Sequence, residues 1–238
     1  MRNEAALERF LAGATVDGSV FALRPDYRVL LVGVEGLATA QSDRDTEDLV
    51  TTAESTVRES LNGRAVEDLP HVAAWREAYR AFGAKPQRTR NSVEALIRRA
   101  ESGLPRVNRL TEVYNAVSVL HQIPVGGEDI DRYLGPPRLM RAMGTEPFDT
   151  LAAGQPVIEY PEPGEVVWCD DAGVTCRRWN WRQCRRTQLS DVTTAALFIL
   201  DALDPITDGE LAAAADDLSA HLSRIAPQVQ IARRLIGD

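Results

Sequence analysis

Residues 165–187 read EVVWCDDAGVTCRRWNWRQCRRT. The β-rich runs EVVWCDD and GVTCRRWNW meet at Asp171-Ala172-Gly173, which suggests a hairpin turn. Taken as extended from Gly173 to Gln183, the second run alternates its side chains between two faces. Trp179 and Trp181 then share a face with Thr175 and Arg177, while Cys176, Arg178, Asn180 and Arg182 share the other. The tryptophans are expected in the core, each burying on the order of 200 Å². Arg178, Asn180 and Arg182 remain as a row of donors aimed one way. Such a row can cradle a phosphate, a carboxylate or a ribose edge. A solvated strand face paired with nearby acids is the commoner origin of such a pattern.

The neighbouring segments alternate in character. NEAALERFLAG has helical spacing, with Ala6, Phe10 and Leu11 in phase, and YRVLLVGVEGL is a short Val- and Leu-rich run of buried-strand type. A helix is predicted from Asp43 to Asn62-Gly63. PHVAAWREAYRAFGA sets Val72, Trp75, Tyr79 and Phe82 on one stripe, the pattern of core packing. NSVEALIRRAESG opens on a capping Asn91 or Ser92. In the helix that follows, Leu110, Val113, Val117 and Leu120 share a face, Thr111, Asn115 and Ser118 look elsewhere, and Pro124 with Gly126-Gly127 is read as its end. His121 lies by the apolar stripe, where a lone histidine is a core residue more often than a ligand. TTAALFILDAL fits a strand or a short helix, and TDGELAAAADDLSAHLSRIA a terminal helix buried through Leu211, Leu218, Leu222 and Ile225. Helices first, strands after and a helix last favour an α+β fold, a mixed sheet with flanking helices. The expected organisation is an N-terminal α/β portion (1–65), a main domain (66–205) and a C-terminal helix (206–238), forming one compact unit.

Composition narrows the function. The chain has 238 residues, 44% hydrophobic, and a formal net charge of -8. That balance argues against delocalised nucleic-acid binding but leaves room for a local basic patch. Lys85 is the one lysine, so arginine abundance by itself carries little weight. No apolar run approaches the roughly 20 residues that span a bilayer. The N-terminus does not read as a secretory signal, so a cytoplasmic location and no membrane partner are expected. The spacing of Cys169, Cys176 and Cys184 matches neither paired zinc ligands nor a redox motif, and points to free, buried thiols. There are three histidines, and no GxSxG, P-loop, HExxH or GxGxxG motif occurs. No metal or cofactor is expected.

RNSVEALIRRAESGLPRVNRLTEVYNAVSVLHQIPVGGEDID, followed by GEVVWCDDAGVTCRRWNWRQCRRTQLSDVTT, resembles the tRNA-editing domain of the bacterial phenylalanyl-tRNA synthetase beta subunit, its modules B-three and B-four. The resemblance covers roughly residues 70–205 and is closest to free-standing relatives of that domain. Asn115 falls on the family's asparagine, Tyr114 on its threonine and Pro124 on its proline. Its site histidine falls on Gly126 and is absent here, and its pocket glycines fall on Arg182 and Gln183. The family's domain hydrolyses tyrosine wrongly attached to the phenylalanine tRNA. With Arg182 and Gln183 in place of glycines, the resemblance implies a smaller, more polar pocket and a substrate amino acid smaller or more polar than tyrosine.

The function it implies is a trans-editing hydrolase that deacylates a mischarged aminoacyl-tRNA, bound weakly and transiently, through a positioned water and without metal. Asn115 and Gln183 are the candidates for positioning water or the amino acid. Arg182 or Arg178 would meet the terminal phosphate or the oxyanion, with Asn180 orienting them. Glu128 or Asp129 would receive the α-amino group, and Tyr114 and Gly126 would line the substrate. No general base is evident. Two other readings stand beside it: a non-catalytic module binding tRNA or a nucleotide, and a small-molecule esterase or amidase using the same pocket. Oligomeric state is not legible.

Overall fold

The computed structural model describes residues 3–37 and 41–237. The chain runs α1 (Glu4–Ala12), β1 (Thr15–Val16), α2 (Gly18–Leu23), β2 (Arg28–Glu35), α3 (Arg44–Leu61), α4 (Pro70–Ala81), α5 (Ser92–Arg99) and α6 (Arg109–His121). It continues through β3 (Val125–Asp129), β4 (Arg138–Arg141), β5 (Phe148–Ala152), β6 (Gln155–Glu159), β7 (Val166–Asp170), β8 (Gly173–Arg177) and β9 (Arg182–Gln183) to β10 (Ala195–Ala202), α7 (Asp208–Ile225) and β11 (Gln230–Ile236). The fold is α+β.

Most helices start where a short polar side chain accepts a backbone N–H of the first turn. Asn3, Asp43, Asn91, Asn108 and Thr207 do so for α1, α3, α5, α6 and α7, the last in a full capping box with Glu210. α6 ends at Gln122 in the left-handed conformation, two residues before Pro124. The expectation that Gly126-Gly127 closes this helix is corrected: both glycines lie inside β3.

Three sheets form. β11-β2-β10-β3 is antiparallel throughout, β1-β4-β7-β8-β9 is mixed with β1 parallel to β4, and β5-β6 is a hairpin. The ambiguous TTAALFILDAL is strand β10, buried along its whole length between β2 and β3. A strand covered on both faces reads as a continuous apolar run, which is why it could not be told from a helix. The chain does not end on a helix. β11 follows α7 and pairs with β2, Gln230 opposite Glu35 through Ile236 opposite Val29.

One face of the four-stranded sheet carries Val32, Val34, Phe198 and Leu200 against Leu110, Val113, Val117, Leu211, Leu218 and Leu222 of α6 and α7. The other face carries Val29, Leu31, Leu197 and Ile199 against α1, Trp75 and Tyr79 of α4, and Trp168 and Trp179 of the mixed-sheet layer. A third cluster joins α3, α4, α5 and α6. His71 sits between layers as the neutral imidazole: Nδ1–H donates to Gln122 O (2.8 Å), and Nε2 accepts from Trp75 Nε1 (3.0 Å) and Leu203 N (3.1 Å). Among the described residues no helix is long and apolar enough to cross a membrane.

Candidate functional site

A cavity of about 240 Å³ opens where the four-stranded sheet, the mixed sheet and α5–α6 converge. Strand alternation supplies one wall. Gly126 pairs with Ile199 and Glu128 with Leu197, so Gly126, Glu128, Ile199 and Asp201 stand on the same face, toward the mixed sheet. The opposing wall is Trp168, Cys176 and the segment Trp179–Gln183, and the flank is Ser92, Ala95, Leu96 and Arg99 of α5 with Tyr114 and Asn115 of α6.

The extended reading of 173–183 is corrected. β8 stops at Arg177, and Arg178 (φ 48°) and Trp179 (φ 67°) adopt left-handed backbone. They turn the chain so that Arg182 returns opposite Arg177 and Gln183 opposite Cys176. Alternation needs uninterrupted extended backbone, so the two tryptophans do not share a face. Trp179 is fully buried, with ring centroids 4.9 Å from Tyr27 and 5.2 Å from Trp75. Trp181 is half-buried in the cavity wall under the guanidinium groups of Arg178 and Arg182, at 4.5 and 4.8 Å.

Nor do Arg178, Asn180 and Arg182 form a row of free donors. Arg178 donates to Thr89 and lies 3.5 Å from Glu165, outside the cavity lining. Arg177 holds Glu165 through two hydrogen bonds of 2.9 and 2.8 Å and also reaches Glu159. Arg182 Nη2 pairs with Glu159 at 2.6 Å, whereas its buried Nε has no hydrogen-bond partner among the described residues. Asn180 is buried: Nδ2 donates to Asp201 (3.3 Å), and Oδ1 accepts from the Tyr79 hydroxyl (2.9 Å). Asp129 is also outside the lining, because its carboxylate accepts from Asp131 N (2.9 Å) and Thr193 Oγ1 (2.8 Å).

The remaining candidates do meet in the cavity: Asn115, Tyr114, Gly126, Glu128, Asn180, Arg182 and Gln183. Gln183 reaches from β9 to β3, where Nε2 donates to Gly127 O at 2.9 Å. A Cβ on Gly126 would stand 3.2 Å from that Nε2, and one on Gly127 would run into Leu189 and Tyr114 within 3 Å. The two glycines therefore let the Gln183 side chain and the α6 aromatic approach the strand.

Two carboxyls not paired with arginine shape the electrostatics. Glu128 is fully buried, and burial pushes its carboxyl up to about 7 against a hydrogen bond from the Tyr133 hydroxyl. The Thr175 and Thr187 hydroxyls beside it also pull the carboxyl down, yet among the described residues its Oε1 makes no well-formed hydrogen bond. Asp201 is pushed up to about 7 by the same cause, although Tyr27 O–H (2.6 Å) and Asn180 donate to it. Four residues of strand separate their positions across the Glu128–Leu197 pairing, roughly 13 Å, so they act as separate acids. Burial raises the Cys176 thiol, which keeps it protonated and unreactive. All three cysteines are free and buried.

Asp201, Ser92, Arg99, Trp168 and Trp181 were not anticipated. Asp201 did leave a signal, a single acid inside the apolar run ALFILDAL. Ser92 and Arg99 left none, since α5 reaches the cavity only through tertiary packing.

No curated protein matches the chain. Among solved structures, the chain is similar to an N-terminal fragment of the phenylalanyl-tRNA synthetase beta subunit from Pyrococcus horikoshii, at 13% identity and a TM-score of 0.46, over 94% of this chain and 54% of that one. The chain thus spans about half the length of that fragment. The family model of the B3/4 domain matches residues 74–227, well over half of the sequence, and the protein is accordingly a member of the B3/4 domain family.

Proposed function

We propose that the cavity hydrolyses the ester of a mischarged aminoacyl-tRNA. One observation carries this reading. Among the described residues, nine buried side-chain atoms make no well-formed hydrogen bond, and five of them, Ser92 Oγ, Glu128 Oε1, Trp168 Nε1, Trp179 Nε1 and Arg182 Nε, belong to residues lining this one cavity, with Tyr27 beside the Trp179 indole and Thr175 and Thr187 beside the Glu128 carboxyl as loose neighbours. Buried polar groups are normally satisfied, so such a concentration marks a place built to meet a polar ligand. One acceptor among several N–H and O–H donors suits an aminoacyl ester, with an ammonium to donate and a carbonyl to accept.

In the proposed step a water attacks the ester carbonyl carbon, its C–O bond forms, and the bond to the ribose oxygen breaks. The water's proton ends on that ribose oxygen, by way of the vicinal hydroxyl. Gln183 has its Nε2 held by Gly127 O, which leaves Oε1 to accept from the water. Asn115, buried in the cavity wall and with no side-chain hydrogen bond among the described residues, holds the water from the other side. Arg182 Nε–H faces the developing oxyanion, Glu128 Oε1 receives the α-ammonium, and Asp201 and Tyr79 hold the Asn180 carboxamide that supports the loop. A cavity of about 240 Å³ crossed by Gln183 favours a small or polar acyl side chain over a phenol.

The test is a panel of mischarged tRNAs followed for release of the amino acid. The expected result is deacylation of at least one species, reduced on the order of 100-fold by Asn115→Ala or Arg182→Ala, in line with loss of one positioned transition-state contact. No rate above the uncatalysed one across the panel would sink the hydrolase reading. Equal turnover of free aminoacyl esters would replace it with a small-molecule esterase.

A further inference from the structure

The arginines that crowd residues 177–186 are committed to acids: Arg177 to Glu165 and Glu159, Arg178 to Glu165, Arg182 to Glu159, Arg185 to Asp149 and Arg186 to Asp170. A denser stretch of uncommitted positive charge lies elsewhere. Residues 80–99, RAFGAKPQRTRNSVEALIRR, hold six basic residues and one acid, in a chain of net charge -8. That acid, Glu94, is fully buried and is taken by Arg76, Arg90 and Arg98. Arg80, Lys85, Arg88 and Arg99 are exposed and, among the described residues, have no ion pair.

This segment adjoins the cavity. The N–H groups of Arg88 and Thr89 both donate to Lys85 O (2.9 Å each), a tight turn that presents Lys85 and Arg88 outward. Thr89 is buried under Arg178, and Ser92 N–H donates to Asn180 O at 3.1 Å, which ties the segment to the loop forming the cavity wall. Arg99, at its far end, lines the cavity itself.

We propose that Arg80, Lys85, Arg88 and Arg99 form the landing surface for the phosphodiester backbone of an RNA helix whose 3′ end enters the cavity. The inference rests on the deacylase reading for its direction, and its physics is separate. Unpaired cations concentrated in one segment beside a pocket on an acidic protein favour the approach of a polyanion from that side, and every neutralised phosphate steepens the salt dependence of binding.

The experiment titrates a labelled RNA stem-loop with a single-stranded 3′ tail against the intact protein over a range of salt. The Arg80→Glu/Lys85→Glu/Arg88→Glu variant is expected to bind at least about tenfold more weakly, with the slope of log K on log salt shallower by roughly two to three, near one per lost phosphate contact. A control with the same charge change at exposed positions elsewhere, Arg9→Glu/Arg44→Glu/Arg58→Glu, is expected to keep the slope. Equal weakening by both variants, or no salt-dependent RNA binding by the unaltered protein, overturns the proposal. Should the first variant lose thermal stability, Lys85→Gln/Arg88→Gln carries the same comparison. RNA binding through this surface without deacylation would reject the hydrolase and leave the surface standing. Deacylation of tRNA with unchanged KM in the first variant would reject the surface and leave the hydrolase.

Discussion

At the level of single residues, Glu128 offers the sharpest test of the proposed site. Its carboxyl lies on the cavity face of β3, fully buried, with one oxygen unsatisfied and its proton held up to about 7 by burial. An ammonium binds only the ionised form, so deacylation is expected to rise as pH passes through about 7. Glu128→Gln should flatten that limb and raise KM for free-amine esters relative to N-acetylated ones. Stability moves the opposite way. A carboxyl raised in the folded state contributes stability below its unfolded value of 4.5 and loses it as pH rises through about 7, a swing on the order of 3 kcal/mol. Denaturant titrations of the unaltered protein and Glu128→Gln should therefore diverge in favour of the variant between those limits; parallel curves would show that Glu128 is not buried with a raised carboxyl. Asn115, Gln183 and Glu128 were legible as site candidates through family resemblance, whereas Asp201 was visible only as an acid in an apolar run.

Among the elements, the β8–β9 hairpin shows where pattern reading holds and where it stops. The position of β8 and its turn from β7 were readable, since Asp171-Ala172-Gly173 punctuates two β-rich runs. The left-handed pair Arg178-Trp179 was not, because nothing in those residue types announces positive φ; packing of Trp179 between Tyr27 and Trp75 over-determines it. This separates two substitutions in the same hairpin. Trp179→Ala is expected to cost about 3 to 5 kcal/mol, the range for removing a fully buried aromatic. Arg182→Ala, whose ion pair with Glu159 is about a third exposed, should cost under about 1 kcal/mol while abolishing most activity. Comparable destabilisation of both in chemical denaturation would recast Arg182 as a structural ion pair. The helices were the most legible elements, because a capping Asn, Asp or Thr marks a start within one residue of the chain itself.

Across the whole molecule, one sheet draws strands from all three portions into which the sequence reading divided the chain. β2, β3 with β10, and β11 come from the N-terminal, central and C-terminal parts, yet lie side by side as β11-β2-β10-β3. β11 also fastens α1, through Arg234 Nη1 to Leu11 O and Ala14 O, and α7, through Arg233 to Asp216. Unfolding followed by tryptophan fluorescence and by far-ultraviolet circular dichroism should therefore coincide, and deletion of residues 229–238 should lower Tm in both signals together. Two resolved transitions would show independently stable portions. By itself the sequence determined the helices other than the short α2, through caps and apolar stripes that act over one or two turns, together with the α+β class and the family. Tertiary structure alone decided the pairing of β2 with β10 and β11, the hairpin turn at Arg178-Trp179 and the arrival of α5 at the cavity. Those depend on contacts between residues up to two hundred positions apart, where side-chain packing and not local preference selects the partner.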